Sequence, residues 1–201
     1  MRFHKFISAI LHPIVMPTIG VLTYFLVIPH STNSLQRQFF LGVIFVGTYL
    51  VPFAILAILK GFKLIHSFQL ATSKERKIPL FIMISILLFT ILGGIFIKLT
   101  QFKDFGLFFY GISFGLMLAY LFSKFRVKIN LHLLAMGSMV GFFMMMGIEY
   151  MISMIPLLLF LFAISGLLAS SRLHLKTDTP KEIYFGFFVG LIAQISAYAF
   201  L

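Results

Sequence analysis

Seven apolar runs stand out along the chain, at residues 6–29, 39–59, 79–98, 106–123, 130–150, 152–170 and 183–201, with short polar stretches between them. A membrane-spanning helix needs about 20 consecutive apolar residues, and each run approaches that length. The fifth and sixth runs are nearly continuous, interrupted only near Glu149-Tyr150, so the pattern predicts six or seven spans. The first run contains His12-Pro13 and Met16-Pro17. Proline lacks the amide hydrogen a helix interior needs, so this run is expected either to kink or to form a shallow leading segment. No small-residue cleavage site follows it, so it is expected to stay in place as the first helix. The predicted fold is all-α, a polytopic transmembrane helical bundle of six to seven spans that forms a single integral membrane domain over residues 1–201.

Composition strengthens this picture. Hydrophobic residues make up 61% of the chain and charged residues only 10%, with a mean hydropathy of +1.08. A soluble domain carries about 25% charged residues; so few charges cannot cover a water-facing surface, and lipid must be the main solvent. The absence of cysteine excludes disulfides and cysteine-based zinc sites.

The net charge of +11 is placed rather than spread. The cations sit at the ends of apolar runs, which points to orientation in the membrane and to anionic headgroups, not to nucleic acid. With seven spans and a cytoplasmic N-terminus, 13 of the 16 lysines and arginines fall on the cytoplasmic side, and only Arg37, Lys98 and Lys103 fall opposite. The expectation is a multi-pass protein of the cell membrane. In that arrangement the loops at 60–78, 123–129 and 171–182 share one face and can converge on one site. Three glycine pairs at helical spacing, Gly111/Gly115, Gly137/Gly141 and Gly186/Gly190, predict close helix packing inside the bundle. The 27 phenylalanines and the methionines at 144, 145, 146, 151 and 154 read as packing and lipid-facing residues.

Candidate chemistry is sparse. His132 lies about one turn inside the fifth run, where an ionisable residue is expensive and therefore functional by default. Lys124, Arg126 and Lys128 precede it. A histidine beside a cation cluster suits phosphate: the cations hold the oxygens and the imidazole donates a proton to a leaving group. Arg172 ends the sixth run, and its planar fork can hold two phosphate oxygens or anchor the helix at the interface. Thr179-Pro180-Lys181-Glu182 has the form of a capping box at a helix start. Two readings stand for Asp178: a solvated loop residue, or an acid aimed into a polar cleft. Lys74, Arg76 and Lys77 form a basic loop that fits either orientation signals or a phosphate clamp. His4, His30 and His66 read as loop residues, His12 as packing near the kink, His174 as interfacial, and Glu149 as interfacial near an outer boundary. No histidine–carboxylate pair has metal-ligand spacing, no phosphate-binding glycine loop occurs, and no cofactor is implied. Matched pairs of broken helices, which would favour a transporter, are missing.

The loop after the sixth run resembles the third signature of the type 2 phosphatidic acid phosphatase superfamily, which is Ser-Arg, five residues, His, three residues, Asp. Here Ser171-Arg172 is followed at those spacings by Asp178 and Glu182. Ile129-Asn130-Leu131-His132 is similar to the second signature, Pro-Ser-Gly-His, in its histidine alone, and Lys74, Arg76 and Pro79 are the nearest counterpart of the first. The resemblance covers roughly residues 70–201. It implies a membrane bundle that acts on lipid phosphates or diphosphates without metal, with His132 as general acid, Lys74, Arg76, Lys128 and Arg172 as phosphate ligands, and Glu182 where the orienting acid stands. Asp178 occupies the position of the nucleophilic histidine. That departure favours a divergent or non-catalytic member; the alternatives are an active lipid phosphatase with an altered nucleophile and a structural subunit of a membrane complex. The partners it implies are membrane lipids, lipid phosphates or diphosphates among them, and a membrane protein partner or a second copy of the chain.

Overall fold

A computed structural model describes residues 2–28, 33–51, 54, 77–99 and 102–200. Every regular element among them is helical: α1 (Arg2–Ile10), α2 (Met16–Val27), α3 (Ser34–Phe45, continuing into a π-helical turn at Val46–Leu50), α4 (Lys77–Ile97), α5 (Lys103–Lys124), α6 (Leu131–Glu149), α7 (Ile155–His174) and α8 (Pro180–Phe200). Four of these, α5 to α8, are long and apolar enough to cross a membrane. That is the pattern of a multi-pass membrane protein.

The first apolar run is not one helix. It breaks at residues 11–15 into α1 and α2, because His12-Pro13 interrupts the ladder and Pro17 takes the first turn of the new helix, where its missing N–H costs nothing. The fifth and sixth runs are separate helices. Glu149 ends α6, and the chain reverses through Met151 in the left-handed region at φ 52°. The Ile152 N–H then bonds the Gly147 carbonyl at 3.1 Å, a helix-ending motif that glycine usually supplies.

The core is formed by α5, α6 and α8, and the glycine pairs make it. A Cβ at Gly137 would run into the carbonyl oxygen of Phe187, one at Gly190 into that of Leu134, and one at Gly186 into that of Asn130. Backbones of α6 and α8 therefore touch, and Ser138 Oγ donates across the seam to the Gly190 carbonyl at 3.3 Å. On α5, Gly111 gives room to the Gln194 side chain, whose Nε2 donates to the Leu107 carbonyl at 3.2 Å. Around this seam Phe105, Phe108, Phe109, Phe142 and Phe143 are fully buried. Met146 and Met154 belong to the same core, whereas Met151 is 94% exposed.

The starts of α6 and α8 are tied together at one end of the bundle. Asn130 caps α6 by accepting from the Leu133 N–H at 2.9 Å, and its own N–H donates to the Glu182 carbonyl at 3.2 Å. The ends of α5 and α7 lie at this same end, so the two loops after them meet there.

Candidate functional site

Two helix endings and two helix starts build the polar site. After α5 the chain turns through Arg126 (φ 61°), and after α7 through Lys176 (φ 53°). Both turns carry a bond from the residue beyond back into the last helical turn, Val127 to Phe122 at 3.1 Å and Thr177 to Arg172 at 3.3 Å. These reversals bring Lys128 and Asp178 face to face, 50 residues apart in sequence.

Asp178 is the centre of the site. Arg172 donates from Nε at 2.8 Å and from Nη2 at 2.7 Å, both to Asp178 Oδ2. Lys128 Nζ donates to Asp178 Oδ1 at 3.2 Å and continues to the Thr177 carbonyl at 3.2 Å and to Glu182 Oε2 at 3.4 Å. The Arg172 side chain is 14% exposed and that of Asp178 only 3%. Burial raises the Asp178 pKa, but the charges of Arg172 and then Lys128 outweigh it and hold the carboxyl below its ordinary range. The side chain is not solvated: it is paired with Arg172 and Lys128 and shielded from water. Two cations face two carboxylates, so the cluster is internally compensated.

Glu182 completes the capping box that its spacing predicts. Its Oε2 accepts from the Thr179 N–H at 2.9 Å, and its own N–H donates to Thr179 Oγ1 at 3.4 Å. The carboxylate is engaged with the cap and Lys128.

His132 sits in the first turn of α6 with its ring against the main chain of Ser8 and within electrostatic reach of Arg172, Asp178 and His12. The His12 and His132 rings meet edge to face with centroids 5.3 Å apart. Thus His132, Arg172, Asp178, Lys128 and Glu182 converge at one end of the bundle. Lys74 and Arg76, expected to hold phosphate, lie outside the described residues, as do His30 and His66.

Several participants were not legible in sequence. His4 lies on α1, not in a loop: its Nδ1 is 3.1 Å from Ser171 Oγ, and its ring packs at a tilt of 33° against that of His174 with centroids 4.2 Å apart. His12 belongs to the site through its contact with His132. Nothing local announces either contact, because α1 packs on α7 from the opposite end of the chain.

A second polar cluster lies at the other end of the bundle. Asp104, 3% exposed in the first turn of α5, accepts at Oδ2 from Tyr24 and from Tyr150, each at 2.6 Å. Its tyrosines come from α2 and from the end of α6, so the carboxylate ties three helices together. Lys103 and Glu149 form an exposed pair at 3.5 Å beside it.

Among the described residues no group of three or more histidines and carboxylates could hold a metal ion. Comparisons with protein-family models, with curated proteins and with solved structures find no match for this chain.

Proposed function

We propose that this chain is a non-hydrolytic membrane protein built on the plan of the type 2 phosphatidic acid phosphatases, in which the phosphoryl-binding cradle is occupied by the protein's own carboxylate. The observation that carries this reading is the fork of Arg172 closed on Asp178, with Lys128 on the second oxygen. These are the donors that would take phosphoryl oxygens. Asp178 stands where the resembling family keeps its nucleophile, but a carboxylate held by two cations is a poor nucleophile, and one beside a phosphate repels it. His132 remains as a proton donor without a partner reaction.

The same reading takes the chain as seven crossings of the cell membrane with the N-terminus and the Lys128–Asp178 cluster on the cytoplasmic side, in keeping with the distribution of lysine and arginine. Anionic lipids of that leaflet then meet the exposed Lys124, Arg126 and Lys181 rather than the compensated cluster, and are bound without turnover.

Release of inorganic phosphate from phosphatidic acid and from a lipid diphosphate, measured with purified protein across pH and with and without magnesium, tests this. The expected result is no release by the native chain, with Asp178→His either silent or gaining activity. Turnover by the native chain that disappears in His132→Ala overturns the reading in favour of an active phosphatase.

A further inference from the structure

The short helix α1 presents two apolar stripes, and only one of them is used inside the protein. Its inner side, His4, Ile7 and Ser8 with Leu11 beyond the helix end, faces the bundle: Ile7 and Leu11 pack on the core, Ser8 is buried, and His4 meets Ser171 and His174 on α7. Its outer side carries Phe3, Phe6 and Ile10, which are 58%, 62% and 46% exposed. Their spacing of three and four residues puts them on one helical face. A helix of nine residues is about 13 Å long, far short of the roughly 30 Å of a bilayer's hydrocarbon. It cannot cross. Two phenylalanines this open on one face gain by leaving water.

The position of α1 matters as much as its shape. It lies on the end of α7 beside Arg172, the main chain of Ser8 lies against His132, and the link that follows brings the His12 ring edge to face with that of His132. The chain from His4 to His12 therefore lies against the polar site through Ser171, His174 and His132. The break at residues 11–15 separates this segment from α2.

We infer that α1 is an interfacial helix that seats Phe3, Phe6 and Ile10 in the headgroup–hydrocarbon boundary of the bilayer and is thereby held as a cover over the His132–Arg172–Asp178 site. The partner of this face is the lipid boundary of the membrane the chain itself crosses, because α1 packs on α7, a helix long and apolar enough to span, and because the exposed Lys5, between Phe3 and Phe6 in sequence, can reach headgroup phosphates. This inference rests on the membrane reading but not on the absence of hydrolysis, and its test uses no enzymatic readout.

The chain has neither tryptophan nor cysteine, so single reporters are clean. Phe6→Trp, reconstituted in phosphatidylcholine–phosphatidylglycerol vesicles, is expected to give blue-shifted emission, quenched by lipids brominated near the headgroup and shielded from aqueous acrylamide. Emission typical of water that brominated lipid leaves unchanged overturns the interfacial seat. For the cover, Ser171→Cys reports access to the site from water through an impermeant maleimide. Adding Phe6→Ser and Ile10→Ser, whose native side chains face away from the bundle, is expected to speed labelling roughly tenfold, equivalent to about 1.4 kcal/mol in the covered–uncovered equilibrium. An unchanged labelling rate in this variant, with the same elution volume as the parent, overturns the cover.

Discussion

Arg172 and Asp178 stand six residues apart at the end of α7 and meet through two hydrogen bonds on one carboxylate oxygen, at 2.7 and 2.8 Å. The pair is mostly shielded from water. Removing one member therefore strands the other rather than merely deleting an attraction. Lys128, 54% exposed, stays on Asp178 when Arg172 is removed but is a like charge for Arg172 when Asp178 is removed. Asp178→Ala is expected to destabilise the chain by about 1–3 kcal/mol, less than for a fully buried pair because Lys128 stands largely in water. Arg172→Ala leaves Asp178 with Lys128 and should cost less. Denaturant titration in detergent measures both, and a double variant that costs less than the two single ones together identifies the coupling.

The same pair sets an acid limit. The folded Asp178 pKa lies below its ordinary 3.8, so the folded chain binds this proton more weakly than the unfolded chain does. The contribution is complete above the ordinary value and is lost as pH falls through the lowered one. Stability measured from pH 7 down to pH 2 should fall at the acid end by less in Asp178→Asn than in the native chain. Equal acid loss in both would assign the limit to other carboxylates.

His4 titrates with the opposite consequence for charge. Partial burial first, then the neighbouring His174 and the amino terminus, push its imidazole below the ordinary 6.5. The neutral ring is the one that packs beside His174 without charge repulsion. Its contribution is whole above 6.5 and is lost as pH falls through the lowered value. Contact between α1 and α7, followed by labelling of Ser171→Cys with rates normalised to an exposed cysteine, should weaken on acidification. His4→Gln should remove that pH dependence.

How much of this could be read from sequence follows the range of each interaction. The four apolar runs from residue 106 onward, the Thr179–Glu182 capping box and the glycine pairs depend on neighbours within a turn or two, and each appears where its spacing puts it. The break at residues 11–15 was announced by Pro13 and Pro17, though not as two separate helices. Asp104 was invisible, because its meaning lies in Tyr24 and Tyr150, 80 and 46 residues away. Nothing near His4 in sequence signals its contact, because Ser171 is 167 residues distant. The charged cluster was half legible: spacing brought Arg172 and Asp178 into one loop, but only the fold shows that they pair with each other and with Lys128.

The Asp104 cluster makes a separable prediction. Tyr24→Phe leaves Asp104 one donor fewer and should cost about 1 kcal/mol, whereas Asp104→Ala removes the acceptor shared by two tyrosine hydroxyls that lie 3.3 Å from each other, and should cost about 1–3 kcal/mol. Both losses should appear in thermal unfolding while the Ser171→Cys labelling rate stays unchanged, since the cluster lies at the other end of the bundle. A changed labelling rate would show that the two ends are coupled.

Glycines of identical helix propensity should separate by what lies beside them. Gly137 and Gly190 face carbonyl groups of the neighbouring helix that cannot move aside, while a Cβ at Gly166 on α7 meets nothing within 4 Å. Replacing Gly166 by alanine removes chain entropy from the unfolded state and is expected to stabilise by about 0.5–1 kcal/mol. The same change at Gly137 forces α6 and α8 apart and should cost about 3 kcal/mol or prevent recovery of folded protein, the upper end for overpacking a core. Because propensity favours alanine at both positions, opposite signs in one denaturation series isolate the close approach of the two backbones. Equal and small effects would mean that the seam tolerates a methyl group, and that the glycine spacing is not what holds these helices together.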